Sequence, residues 1–174
     1  MIVLITGMMA AGKSSIGQAL AERLQPSLHL RGDIYRKMIV NGRQDMANEA
    51  SPDAIAQLRL RYDAAASTAI LYSQAGFNVI YQDVIIGPVL EEVAERLGDE
   101  LTQLIVLNPQ LEVVEQREHA RAKVGYTQFS VQEFAQVFQT TPRLGYWLDN
   151  STQTVEQSVS EIMALLEETR QLGG

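Results

Sequence analysis

Short apolar runs alternate with stretches of helical period along the whole chain, the pattern of a parallel sheet covered by helices on both faces. Ile2 to Thr6 is an almost unbroken apolar run, as a strand buried on both sides requires, and Ile16, Leu20 and Leu24 then recur at helical spacing. Pro26 interrupts, and Leu28, His29 and Leu30 form a brief second strand. A helix is predicted from near Ile34 to near Asn41-Gly42, followed by a loop over residues 43 to 50. Ser51 as cap and Pro52 in the first turn start a third helix, whose apolar series Ile55, Leu58, Tyr62, Ala65, Ala69 and Tyr72 stops at Gly76. A strand from Asn78 to Asp83, a helix beginning around Pro88, a strand from Leu101 to Leu107 and a helix opened by Asn108-Pro109 come next. After a loop around Gly125, Ser130-Val131-Gln132-Glu133 reads as a capping box whose helix turns Val131, Phe134 and Phe138 inward. Tyr146 to Leu148 is the last strand. Thr154 to Gln157 caps a final helix with Val155, Val159, Ile162, Met163 and Leu166 on its inner face. The expectation is one α/β domain over residues 1 to 174: a parallel five-stranded sheet in three layers, with a small helical lid at approximately 117 to 140.

Composition narrows the function. With 174 residues, 46% hydrophobic and 20% charged, the chain can bury a sizeable core, and no apolar run approaches a membrane span. The apolar start is too short, and lacks the basic flank, for a signal peptide; the expected compartment is cytoplasmic. Cysteine is absent, which removes disulfides, thiolate zinc sites and thiol catalysis, and the two histidines, His29 and His119, give little support to a zinc site. A metal, where one is used, is then expected to be hard Mg²⁺ arriving with a nucleotide. A net charge of -7 disfavours nucleic acid as the main partner, while leaving room for a local basic pocket.

The most specific signal is the junction of the first strand and helix. Gly7-Met8-Met9-Ala10-Ala11-Gly12-Lys13-Ser14 has the G-x-x-x-x-G-K-S spacing of a phosphate-binding loop. Glycines allow successive backbone N–H groups to turn inward around a β-phosphate, Lys13 reaches the β and γ oxygens, and the Ser14 hydroxyl ligates Mg²⁺. The positive end of the following helix points at the same anion. Gly7, Ala10, Ala11, Gly12, Lys13, Ser14 and Ser15 are therefore the candidate nucleotide contacts.

In such sheets ligands sit beyond the carboxyl ends of the strands, so the residues after each strand are candidates for the remaining chemistry. Asp33, after the second strand, is placed to accept the proton of an attacking hydroxyl; its alternative is simply to cap a helix. Arg36, one turn on, could hold a substrate phosphate or carboxylate, or pair with Asp33. Asp83 ends the third strand, where an acid near Mg²⁺ or the substrate is expected; otherwise it is a strand-end turn residue. Arg117 and Arg121 share a helix face at i, i+4 and, facing the crevice, would neutralise charge on the transferred phosphoryl, with Lys123 as a third contributor. Facing water, they would form a charged stripe with Glu115 and Glu118. His29 and His119 read as core or surface residues, whereas Tyr35, Tyr62 or Tyr126 could line an apolar pocket.

Taken together, Ala10 to Ser14, Asp33 after strand two, Ala75-Gly76 leading to Asp83-Val84, and Arg117-Glu118 with Ala120-Arg121 resemble the chloramphenicol phosphotransferase-like family. The resemblance implies a P-loop kinase fold, ATP and Mg²⁺ as cosubstrates, and phosphorylation of a hydroxyl on a small molecule. It further implies that Asp33 is the proton acceptor and that Lys13, Arg117 and Arg121 contact phosphate. Where that family has a double acid at the end of strand three, this chain has Gln82-Asp83. Gly32-Asp33-Ile34-Tyr35-Arg36 is also similar to the G-D-x-x-R element of adenylate-kinase-like nucleotide kinases and adenylylsulfate kinases, in which the arginine grips a substrate phosphate. The expected function is a kinase acting on a small-molecule hydroxyl. A kinase with a phosphate acceptor and a nucleotide-dependent switch are the alternatives. The switch lacks support: no D-x-x-G element follows a strand, because Gly87 lies one position too far from Asp83, and there is no N-K-x-D segment.

Overall fold

A computed structural model describes residues 1–47, 49–120 and 130–172. In chain order the elements are β1 (Ile2–Gly7), α1 (Lys13–Glu22), β2 (Ser27–Arg31), α2 (Asp33–Met38), α3 (Pro52–Gln74), β3 (Asn78–Gln82), α4 (Val89–Leu97), β4 (Leu101–Leu107), α5 (Leu111–His119), α6 (Val131–Gln139), β5 (Tyr146–Leu148) and α7 (Val155–Leu172), with a single 3₁₀ turn at Gly98–Glu100. The strands form one sheet in the order β2-β3-β1-β4-β5, and every pairing is parallel.

Three layers follow from the alternation of side chains along the central strand. Ile2 and Leu4 point to one face and join Tyr62, Ala65, Ala66 and Ala69 of α3 with Leu90, Val93 and Leu97 of α4. Val3 and Ile5 point to the other and join Ile16 and Leu20 of α1 with Val159, Ile162 and Leu166 of α7. All four β1 residues are fully buried, which is why the strand carries no polar alternation. Helix starts coincide with the predicted caps. The Ser51 Oγ accepts from the Ala54 N–H at 3.1 Å, and Ser130 with Glu133 forms a complete capping box.

The structure departs from the sequence pattern in three places. α2 stops at Met38 rather than near Gly42, because Ile39 turns extended (φ -74°, ψ 107°) and nothing packs against Val40. α3 buries the middle of the predicted stripe, Tyr62, Ala65 and Ala69, but not its two ends: Ile55 is 41% and Tyr72 39% exposed. Alanines let a long helix lie close to the sheet, moving the bulky positions to its rim. α5 begins at Leu111, three residues after Asn108, because the Asn108 N–H still bonds the Leu148 carbonyl at 2.8 Å. Within the predicted lid, Phe138 of α6 packs on Trp147 and belongs to the core beside α3 and α4.

Ile5 is fully buried in the core that α1 and α7 share with the sheet, so truncating it leaves a cavity in a close-packed interior. Ile5→Ala is expected to lower stability by about 2–5 kcal/mol, measured as a reduced midpoint of urea unfolding at unchanged slope.

Candidate active site

Strand order places the site. The direction in which successive strands are added reverses at β1, so β1 and β3 are neighbours and their carboxyl ends flank a crevice. The glycine-rich turn leaves β1 on one side of it. Gly12 has φ +104°, a conformation open to glycine and costly for other residues, and α1 starts at the next residue. Ala10 has φ +63° and is the only non-glycine residue at positive φ among the described residues, so the loop holds local backbone strain. Lys13 is 8% exposed, and its Nζ donates to the carbonyls of Gly7 at 2.9 Å and Met8 at 2.6 Å. The ammonium is thus held inside the turn whose amides it shares. Ser14 Oγ donates to Gln82 Oε1 at 3.4 Å, tying the first turn of α1 to the end of β3. Ser15 is exposed at the same helix start.

Opposite the loop, Asp33 is the first residue of α2. It is not the helix cap: Gly32 holds that position, and no side chain caps the helix. Asp33 Oδ2 accepts from Lys37 Nζ at 2.5 Å, and Arg31 Nε lies 3.6 Å from Oδ1, so two cations flank a carboxylate that is about one-third exposed. Arg36, one turn further on, pairs with Asp45 from the following loop rather than with Asp33.

Asp83 follows β3 and is 3% exposed. Its N–H bonds the Ile5 carbonyl at 3.2 Å, and Oδ1 accepts from the Val84 N–H at 2.7 Å and Arg61 Nη2 at 3.1 Å. Oδ2 has no hydrogen-bond partner and presses on Gly32, where any Cβ would collide with the carboxylate. Glycine is therefore required between β2 and the Asp33 helix. Burial pushes the Asp83 carboxyl above the usual carboxylate range, against the pull of Arg61, the Val84 amide and Lys13; the charge of Asp33 adds to the rise. Two aromatic rings frame the pair. The Arg61 guanidinium lies 5.0 Å from the centre of the Tyr62 ring, and Tyr62 donates to the Val84 carbonyl at 2.7 Å. Burial raises the Tyr62 and Tyr81 hydroxyls far above their ordinary range, so neither serves as a base.

A second tie closes the far side of the loop. Arg117 on α5 donates to the carbonyls of Ala11 (3.3 Å) and Asn150 (2.8 Å), and Asn150 Nδ2 donates to the Ala11 carbonyl at 2.9 Å. Arg117 thus reaches the phosphate loop from outside, on the side of β5. Arg121, Lys123 and Tyr126 lie outside the described residues. His29 Nδ1 meets Gln18 on α1 and His119 is exposed, as core-edge and surface histidines would be.

The structure therefore gathers Lys13, Ser14, Asp33 and Asp83 at one crevice and sets Arg36 and Arg117 at its two edges. Sequence reasoning missed Arg61, Gln82 as the partner of Ser14, and Asn150. Arg61 had a signal: it is i+3 from Leu58 and i−4 from Ala65, on the inward stripe of α3. Asn150 lies two residues beyond β5, at a strand end where ligands gather. No His, Asp or Glu group of three or more gathers to hold a metal among the described residues. The donor set fits Mg²⁺ held by one hydroxyl and the nucleotide phosphates better than a cage made by protein alone.

The fold is shared with known kinases. The chain aligns with an adenylylsulfate (APS) kinase from Mycobacterium tuberculosis solved with AMPPNP and APS, at 19% identity and TM-score 0.70, covering 95% of this chain and 96% of that one. It aligns with a tunicamycin resistance protein from Deinococcus radiodurans at 18% identity and TM-score 0.68, covering 95% and 94%. A shikimate kinase from Bacteroides thetaiotaomicron gives 17% identity and TM-score 0.62, covering 95% and 98%. No curated protein matches the chain. At these identities the structural likeness speaks for the fold alone. The model of the chloramphenicol phosphotransferase-like proteins matches residues 1–167, and this chain belongs to that family of P-loop kinases.

Proposed function

We propose that the protein transfers the γ-phosphoryl group of ATP, with Mg²⁺, to a hydroxyl of a small molecule. The observation that carries this reading is the meeting of Lys13, inside its amide turn, with Asp33 and Asp83 across the β1–β3 crevice. Lys13 Nζ, now on the Gly7 and Met8 carbonyls, binds the β and γ oxygens by a short movement of its flexible stem. The Ser14 hydroxyl would hold Mg²⁺, which would supply charge neutralisation on the phosphates. Asp33 accepts the proton of the acceptor hydroxyl as its oxygen bonds to the γ-phosphorus and the bridging oxygen leaves with ADP. Of the two roles open to Asp83, metal and acceptor, its contacts with Arg61 and Gly32 favour the acceptor side. Arg117 secures the loop against the β5 end, and Arg121 is proposed to reach the transferred group.

A phosphate acceptor gripped by Arg36 is less well supported, since Arg36 is engaged by Asp45. The assignment of roles is testable by mutation. Asp33→Asn is expected to lower turnover at least 100-fold, the lower end for loss of a general base, with ATP affinity retained. Near-normal turnover in a labelled-ATP transfer assay with hydroxylated acceptors would remove Asp33 from the chemistry. Lys13→Ala is expected to abolish detectable transfer while the thermal unfolding midpoint stays within a few degrees of the parent, checked by label transfer beside a thermal melt.

A further inference from the structure

Beside the Asp33 helix, a cavity of about 290 Å³ lies between α2, the loop after it and α3. Its walls are largely apolar, with Met38, Ile39, Met46 and Leu58 among them, yet two arginines, Arg36 and Arg61, also line it and, among the described residues, no acidic one does. From these features we infer that the acceptor is an amphipathic alcohol carrying a carboxylate, its apolar body against the α2–α3 walls and its anion on Arg61. The inference rests on the kinase reading above, in which Asp33 meets the hydroxyl.

Arg61 carries the argument. Its side chain is 12% exposed and offers Nη2 to Asp83, while its Nε is buried with no hydrogen-bond partner. The neighbouring Tyr62 hydroxyl gives its proton to Val84 and turns its oxygen toward the guanidinium, leaving room for a further acceptor there. A buried cation with an unused donor calls for an explanation, and a ligand oxygen at Nε supplies one, because a guanidinium can serve two carboxylates from different edges of its plane. Arg36 adds a second positive charge at the mouth. It is held there by its pair with Asp45, roughly two-fifths exposed on both sides, and adds to the field at the mouth without gripping the anion itself. The apolar half of the ligand follows from Met38 and Leu60, which are 68% and 63% exposed at the cavity while both line it. Flexible methionines adapt to rings of different shape. A carboxylate fits better than a phosphate: one unused buried N–H and mostly apolar walls would leave several oxygens of a dianion unpaired.

The test compares matched probes on the intact protein. Dissociation constants for 4-(hydroxymethyl)benzoate, its methyl ester and 4-(hydroxymethyl)phenyl phosphate are measured by ligand-observed NMR, with MgATP binding and label transfer from ATP followed in parallel. The acid is expected to bind at least 10-fold more tightly than the ester, the range for a hydrogen bond to a charged group. In Arg61→Gln the acid-to-ester ratio is expected to fall to about one; should that variant not fold, the ratio in the parent protein decides alone. An ester bound as well as the acid, no binding of either at millimolar concentration, or tighter binding of the phosphate each overturns the inference. Transfer of label to the ester with no preference for the acid would sink the carboxylate and leave the kinase reading standing. Absence of MgATP binding sinks the kinase reading itself.

Discussion

Parallel pairing of β1 with β3, in the register that sets Ile5 beside Gln82, is the constraint on which the site depends. It delivers the phosphate loop from one strand end and Asp83 from the next, close enough for Lys13 to act on the buried carboxylate. β2 then pairs outside β3 with Arg31 beside Gln82, so the Gly32 N–H bonds the Gln82 carbonyl at 3.0 Å and Asp33 follows immediately. Three strand ends thus bring three charged groups together without any long loop. The cost of packing the strands this closely falls on Gly32, whose missing Cβ makes room for Asp83.

Electrostatics divides the two aspartates at the crevice. Asp33 is flanked by Arg31 and Lys37 and is about one-third exposed, whereas Asp83 is sealed against Gly32 and balanced by Arg61. Burying a carboxylate is costly unless it is paired, and Arg61 supplies the partner of Asp83. Here the pair joins the end of β3 to the wall of the α2–α3 cavity, which Arg61 lines.

Much of this was legible in the chain because it follows from local rules. The phosphate loop is a contiguous motif, the five strands carry unbroken or short apolar runs, and the caps at Ser51 and Ser130 sit where their side-chain bonds form. Residues whose meaning depends on tertiary packing were not legible. Arg61 reads as one more charge on a polar helix until α3 is laid against β3. The stripe Tyr62, Ala65 and Ala69 of α3 is buried as its spacing predicts, whereas Ile55 and Tyr72 at its two ends are exposed, since spacing alone does not say where a long helix leaves the sheet. Asp33 was placed correctly after β2, but its expected helix-capping alternative lapses only when Gly32 is seen at the cap.

The central claim is that the amide turn at residues 7 to 14 grips a triphosphate rather than a nucleoside. Isothermal titration calorimetry with MgATP and, separately, adenosine tests it most directly. The account predicts saturable one-to-one binding of MgATP and no comparable binding of adenosine. Silence toward MgATP, or equal affinity for both, would contradict it.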